Sequence, residues 1–198
     1  MSMSDYLEKS IENAANRYFV GENIGGLKVD GIDFNVEELG QYNIWLYGSY
    51  TEDFMYMLNN RDYYGEVINK IVDKLNQINY DAQDCDTETE KKNFIKEKVD
   101  ELWKTVEDSY DEIYEGVVEG LYEQLIYAGS DLENDINNTD IIPEVGGVEV
   151  SDFKIRDYFE EVIGSRASIT VFEEASIELK NFSRDNLEEY VVSFWFDF

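Results

Sequence analysis

The longest periodic segment of the chain reads TETEKKNFIKEKVDELWKTVEDSYDEIYEGVVEGLYEQLIYAG and covers residues 87–129. Apolar residues recur in it at intervals of three and four, which places them on one stripe of an α-helix. Thr87 and Glu90 have the spacing of a capping box, and Gly129 is a typical stop signal. The segment predicts one helix about 60 Å long. Its apolar stripe consists of Ile95, Val99, Leu102, Val106, Tyr110, Ile113, Val117, Leu121 and Leu125.

Acidic side chains occupy most of the remaining surface of this helix. Residues 105–153 include 14 Asp and Glu and neither Lys nor Arg, a local charge of 0 − 14 = −14. Like charges four residues apart destabilise a helix by about 0.2–0.5 kcal/mol per pair. A surface that keeps this repulsion points to a function. The candidate partner-binding residues are Glu107, Asp108, Asp111, Glu112, Glu115, Glu119, Glu123, Asp131, Glu133 and Asp135.

The whole chain is acidic but has the composition of a folded protein. Its 198 residues include 45 Asp and Glu against 16 Lys and Arg, a formal net charge of −29 at pH 7. Hydrophobic residues make up 43% and aromatic residues 15%, which predicts a real core and not a disordered tail. Such a charge repels nucleic acid and anionic membranes and attracts basic proteins. We therefore expect a basic nucleic-acid-binding protein as the partner, without direct contact to nucleic acid or membrane.

The composition argues against most kinds of enzyme. The chain has no His and a single Cys, Cys85, so a Cys–His pair, a zinc site and a redox CxxC motif are excluded. Two carboxylates in a cleft, as in a glycosidase, are the enzymatic alternative that stays open. We predict a non-enzymatic protein without a cofactor.

Two segments have the alternating acids of a calcium-binding loop. They cover residues 84–88 and 131–135. Neither continues with the Gly at the sixth loop position and the Glu at the twelfth that an EF-hand loop uses. We therefore predict no dedicated metal site.

Residues 44–49, IWLYGS, resemble the strand and Gly-Ser turn that open the small nucleotidyltransferase fold. In that family a pair of metal-binding aspartates, written D-x-D, follows the Gly-Ser closely. Here Glu52 and Asp53 are adjacent and Asp62 is isolated, so the metal-binding pair is absent. We interpret the segment as a buried strand followed by a turn.

The other segments predict helices and strands in turn. The helix before residue 79 and the long helix are joined by a short polar linker, which favours an antiparallel helical hairpin. The predicted elements are a helix over Ser4 to Phe19, strands over 27–34 and 42–50, helices over 51–58 and 62–78, an exposed loop over 130–140, a strand over 148–150 and a helix over 152–163.

The clearest β pattern lies in residues 165–198. Apolar residues alternate with polar ones from Ile169 to Leu179 and again from Tyr190 to Phe198. We predict a C-terminal β-hairpin. The fold class is then α+β: a single domain over 1–198 with a long acidic helix over 87–129, a helical hairpin and a small antiparallel sheet.

No segment at the N-terminus or elsewhere has the pattern of a membrane signal. Asp5 and Glu8 lie where a signal peptide would be apolar, and no stretch approaches the roughly 18 apolar residues of a membrane span. We expect a cytoplasmic protein of a bacterial host.

Helix carboxylates four residues apart are separated by about 6 Å, which is comparable to the spacing of DNA phosphates. In charge, size and lack of catalytic residues the chain resembles the DNA-mimic inhibitors of phages and mobile elements, the anti-restriction and acidic anti-CRISPR proteins. The resemblance implies an inhibitor that occupies the nucleic-acid-binding surface of a CRISPR or restriction nuclease and blocks target DNA. An immunity-type binder of a basic nuclease toxin, and a halophile-like acidic domain without a mimic role, stay open. So does a homodimer, which would double the acidic footprint.

Overall fold

A computed structural model describes residues 2–196. The chain forms two compact units, each built from two separate segments: unit 1 comprises Met1–Tyr50 and Gly120–Ile177, and unit 2 comprises Thr51–Glu119 and Glu178–Phe198. The α+β class is confirmed. We expected a single domain, and no linker in the sequence marks the division, because helices and strands continue across it.

The helices and strands are numbered in chain order. They are α1 Met3–Phe19, β1 Asn23–Ile24, β2 Leu27–Glu38, β3 Gln41–Asp53, α2 Phe54–Asn59, α3 Glu66–Asp81, α4 Glu88–Asp108, α5 Tyr110–Asn138, β4 Glu144–Val145, β5 Val148–Glu149, α6 Ile155–Tyr158, β6 Ser168–Lys180 and α7 Arg184–Phe196, with a π-helical turn over Phe159–Ile163.

Unit 1 is organised around a four-stranded sheet in the order β1-β2-β3-β6. Strands β2 and β3 pair antiparallel, as predicted, and the two-residue strand β1, which was not predicted, pairs antiparallel with β2. Strand β6 differs, because Ser168 donates to the Gly40 carbonyl at 2.7 Å and Phe172 stacks on Trp45, so β6 runs in the same direction as β3. The core of unit 1 lies between one face of this sheet and helices α1 and α5. It includes Leu7, Ile11, Phe19, Tyr42, Ile44, Leu46, Leu125, Leu132, Ile136 and Phe159.

Strand β3 continues straight through Gly48, so the predicted turn there is wrong. Gly48 pairs with Val29, beside a bulge at Asp30 of strand β2. A Cβ atom at Gly48 would lie 1.9 Å from the Lys28 carbonyl oxygen. The glycine therefore permits a close approach of two strand backbones.

Unit 2 is mainly helical. Helices α3 and α4 pack as the predicted antiparallel hairpin, with Ile78 near Lys98 at one end and Val67 near Ser109 at the other. The capping box at Thr87 is confirmed, since Glu90 N–H donates to Thr87 Oγ1 at 3.2 Å and Thr87 N–H donates to Glu90 Oε2 at 3.3 Å.

The long helix differs from the prediction at both its middle and its end. It is divided at Ser109 into α4 and α5, and α5 passes Gly129 and continues to Asn138. The exposed loop predicted over residues 130–140 is therefore wrong. Leu132 and Ile136 are buried and extend the apolar stripe of the helix by two more turns.

The predicted C-terminal β-hairpin is half correct. Its first strand is β6, but the second half forms helix α7. Leu187, Tyr190 and Val191 are buried, and their spacing of three and four is that of a helix face. Ser183 begins the helix by accepting the Asn186 N–H at 3.2 Å, a cap that the alternation of the following residues obscures. Phe198 lies outside the described residues.

Candidate functional site

Six of the predicted partner-binding residues lie in unit 2, around the junction of α4 and α5. All six side chains are exposed. We call this set the acidic surface. It consists of Glu107, Asp108, Asp111, Glu112, Glu115 and Glu119.

The acidic surface is held in place by the buried side of the same two helices. Val99, Leu102 and Val106 of α4 and Ile113 and Val117 of α5 are at most 7% exposed. Five of the acids lie between these anchors in sequence and Glu119 follows Val117 by two residues, so the helix backbone directs all six outward. The carboxylates are therefore presented by rigid elements and not by a flexible loop.

Ser109 creates the junction between the two helices. Its hydroxyl donates to the Thr105 carbonyl at 2.8 Å, and its N–H donates to the same carbonyl at 3.1 Å. A serine that bonds back to residue i−4 bends a helix. The ladder resumes at once, because Ile113 N–H donates to the Ser109 carbonyl at 3.0 Å. Ser109 therefore interrupts the helix for one residue, with helical hydrogen bonds on both sides of it.

The junction at Ser109 has acids at both kinds of helix end. Asp111 and Glu112 lie in the first turn of α5, where the helix dipole favours negative charge. Glu107 and Asp108 lie in the last turn of α4, which contains no basic residue and where the dipole disfavours negative charge. The α4 end therefore retains two acids against its own stability.

Within residues 2–196, none of the six carboxylates of the acidic surface forms a salt bridge. Glu112 lines a cavity together with Lys70 and Lys74, and the pKa of Lys70 is raised first by its hydrogen bond and ion pair with Glu66 and more weakly by the charge of Glu112. The negative charge of the surface is thus left largely without a counter-charge from the described chain.

The other four predicted residues lie in unit 1, on the second part of α5. Glu123, Asp131 and Asp135 are exposed. The charges of Asp131 and Asp135 reach Tyr18, whose pKa is raised first by burial and then by these two carboxylates.

Glu133 is the exception among the ten residues. It is half-buried, and its Oε2 accepts the Ile169 N–H of strand β6 at 2.9 Å. One turn further on, Asn137 both donates to the Ala167 carbonyl at 2.9 Å and accepts the Ala167 N–H at 2.8 Å. These two side chains satisfy the backbone where β6 begins. Glu133 therefore has a structural partner already.

The unit 1 part of α5 also carries an exposed apolar group that is not among the ten predicted partner-binding residues. Tyr122 and Ile126 are each 49% exposed, and Tyr127 is 67% exposed. In the sequence these three residues fall outside the apolar stripe of the helix, and this position is the signal that marks them as exposed. Exposed Tyr beside carboxylates is typical of protein interfaces.

Tyr110, assigned to the buried stripe, is 38% exposed. Its ring packs in unit 2 against Phe182 at 5.1 Å and against Tyr114 at 6.2 Å between centroids. Tyr110 therefore packs at the border of this aromatic cluster in unit 2 and stays partly exposed to solvent.

Comparisons with known proteins give no family. No protein-family model, curated protein or solved structure matches the chain.

Among residues 2–196, no helix is both long and apolar enough to cross a membrane. No three acidic or Cys side chains come together there in an arrangement that could hold a metal ion. Residues 131–135, one of the two calcium-loop-like segments, lie within α5, where successive acids point in different directions.

Proposed function

We propose that this protein is an acidic DNA-mimic inhibitor that binds the basic nucleic-acid-binding surface of a bacterial defence nuclease, CRISPR or restriction, and blocks target DNA. The observation that carries the proposal is the acidic surface: six exposed carboxylates on rigid helices without a salt-bridge partner in the described chain.

The spacing of these carboxylates supports the proposal. Asp111 and Glu115, and Glu115 and Glu119, all on α5, are four residues apart, or about 6 Å along the helix. A DNA strand carries a phosphate every ~3.4 Å of axis, about 7 Å measured along the strand's own path between neighbours. A Lys or Arg groove built for phosphates can therefore meet this row of charges.

The unfavourable electrostatic energy of the free protein also supports the proposal. Two acids at the end of α4 oppose the helix dipole, each by about 0.3–1 kcal/mol at low salt. Repulsion between the carboxylates adds to this. Both penalties would vanish on contact with a basic partner, so the unfavourable energy of the free protein becomes a driving force for binding.

An immunity-type binder of a basic nuclease toxin is the second candidate. The exposed group Tyr122, Ile126 and Tyr127 favours it, because aromatic anchors beside acids are typical of a dedicated protein–protein interface. The two candidates differ in one property: a DNA mimic competes with nucleic acid for the same basic surface.

The test compares two variants with the same change in charge. The first carries D108K, E112K and E115K in the acidic surface, and the second carries D62K, E97K and E149K at exposed acids elsewhere. Each variant has a net charge of −29 + 6 = −23. The tagged proteins are used to capture partners from nuclease-treated bacterial lysates at low salt, and each captured protein is then purified and titrated.

We expect the wild type to capture a nuclease that elutes as salt rises and loses its target DNA when the inhibitor is added. The first variant should bind this nuclease about 100-fold more weakly, and the second variant should bind within a few-fold of wild type. An equal loss of affinity in both variants would show that binding depends only on net charge. Binding that DNA does not displace would favour the immunity-type protein over the mimic.

A further inference from the structure

The sheet of unit 1 has a second face, opposite the core. On strand β3 the core side chains Tyr42, Ile44 and Leu46 are buried. Of the residues that alternate with them, Trp45 is half-buried and Tyr47 is 38% exposed. Alternate residues of a strand point to opposite faces. Trp45 and Tyr47 therefore belong to a face that the core of unit 1 does not include.

Two aromatic rings stack against each other on this face. The Trp45 and Phe172 ring centroids are 5.1 Å apart and their planes are inclined by 19°. This distance is close to the roughly 4.8 Å spacing of neighbouring strands, so the rings stack across the β3–β6 pair. We call this pair the aromatic platform. Both rings are half-buried, which leaves part of each accessible.

Two carboxylates share the sheet face of the aromatic platform. Asp33 of β2 is the direct partner of Trp45 in the β2–β3 register, so both share this face, and Asp33 is exposed. Glu174 of β6 lies two residues after Phe172, on the same side of its strand, and is also exposed. Neither carboxylate forms a salt bridge within the part of the chain that the structure describes.

Because the stacked rings cover each other's inner faces, a ligand can stack only on an outer face, and the outer face of Trp45 lies on the Asp33 side. An aromatic face beside a carboxylate has the chemistry of an arginine site. A guanidinium group is planar, stacks on aromatic faces and donates several N–H groups in its own plane to carboxylates. A lysine ammonium group is compact and strongly hydrated, so it gains less from the stacking. We infer that the aromatic platform binds an arginine side chain of a basic protein segment. The negative charge of the chain would draw such a segment to it.

This inference does not depend on the acidic surface. The platform rests on stacked rings and strand register in unit 1, whereas the acidic surface lies on helices of unit 2. A partner could use one without the other.

The test uses two peptides of equal length and charge, one alternating arginine with glycine and the other alternating lysine with glycine. Affinities are measured by calorimetry at physiological ionic strength. The indole N–H signals of the three tryptophans are followed by NMR, with the Trp45 signal assigned from its loss in W45V. The variants are W45V, F172L and D33N, and the charge-matched control for D33N is E149Q, an exposed acid on β5.

We expect the arginine peptide to bind wild type about five- to tenfold more tightly than the lysine peptide and to shift the Trp45 indole signal. W45V, F172L and D33N should each remove most of this preference, while E149Q keeps it. If W45V does not fold, F172L and D33N still decide the matter. Equal affinity for both peptides, or a preference that survives D33N and F172L, would overturn the inference.

The two proposals can fail separately. The variant with D108K, E112K and E115K should retain the arginine preference, because the aromatic platform is unchanged. A wild-type protein that prefers the arginine peptide but captures no nuclease would contradict the proposed function and leave the arginine site standing. Loss of the preference in that triple variant would instead assign it to the acidic surface.

Discussion

Two groups of carboxylates in unit 2 have opposite surroundings. Around Arg184, at the start of α7, Asp100, Asp185 and Glu188 are all in ion pairs with the one guanidinium group. On the acidic surface, six carboxylates have no such partner in the described chain. The difference teaches that the fold pairs acids where α4 and α7 meet and leaves the exposed carboxylates of the acidic surface without an ion pair.

Arg184 is itself only 24% exposed, and its pKa is raised further above its already high value, first by the hydrogen bond with Asp100. Because Asp100 belongs to α4 and Arg184 to α7, this ion pair fastens the two helices. A charge in this position contributes to stability, whereas the charges of the acidic surface oppose it.

The largest expected effect comes from removing the shared cation. R184M would leave three carboxylates close together and Asp100 without its partner, so we expect a loss of about 1–3 kcal/mol in the free energy of unfolding. Urea denaturation measures it. The matched control is K104M, which removes an exposed cation from α4 and should change stability by less than about 0.5 kcal/mol. Equal stability of the two variants would show that the Arg184 ion pairs contribute little.

Glu133 provides the next test, because it is an acid of the candidate site that has a structural partner. E133A removes the acceptor of the Ile169 N–H and should destabilise the protein by about 1 kcal/mol. E133Q keeps a carbonyl oxygen at that position and should be clearly less harmful. Thermal denaturation of both variants distinguishes hydrogen bonding from charge, since an effect of charge alone would make E133Q and E133A equivalent.

The smallest expected effect has the opposite sign. Neutralising part of the acidic surface with E107Q, D108N and E115Q should stabilise the protein by about 0.5–1 kcal/mol at low salt, because repulsion and the unfavourable dipole contacts at the end of α4 are relieved. The gain should shrink as salt screens the charges. The same urea titration at two salt concentrations measures it. Destabilisation at low salt would mean that these carboxylates hold the fold together.

Local periodicity predicted the buried side of the long helix well. Eight of the nine residues assigned to its stripe are buried, and only Tyr110 is partly exposed. The acids between them are exposed for the same reason, since a helix that buries one stripe must present the rest. The acidic surface was therefore predictable residue by residue.

The stop signal at Gly129 failed because the glycine has another use. It is buried, and a Cβ atom there would lie 3.0 Å from a Val171 methyl group. Gly129 thus allows strand β6 to pack closely against the helix within unit 1. A glycine required for packing and one that ends a helix look the same in a sequence.

The C-terminal alternation failed for a related reason. Tyr190 to Phe198 fits a strand, yet the burial of Leu187, Tyr190 and Val191 follows a helix. A short apolar run fits both periods, so the surface that it meets decides which is used. Here the run packs on α3 and α4 within unit 2.

The sequence by itself determined the net charge, the buried stripe and the outward direction of the acids, because all three follow from composition and from the period of a helix. The tertiary structure decided which acids are paired. Arg184 reaches Asp100 across 84 residues of chain, Glu133 reaches Ile169 across 36, and Asp33 comes to lie beside Trp45 only through strand register. Such contacts depend on folding partners that are distant in the chain, and no local pattern records them.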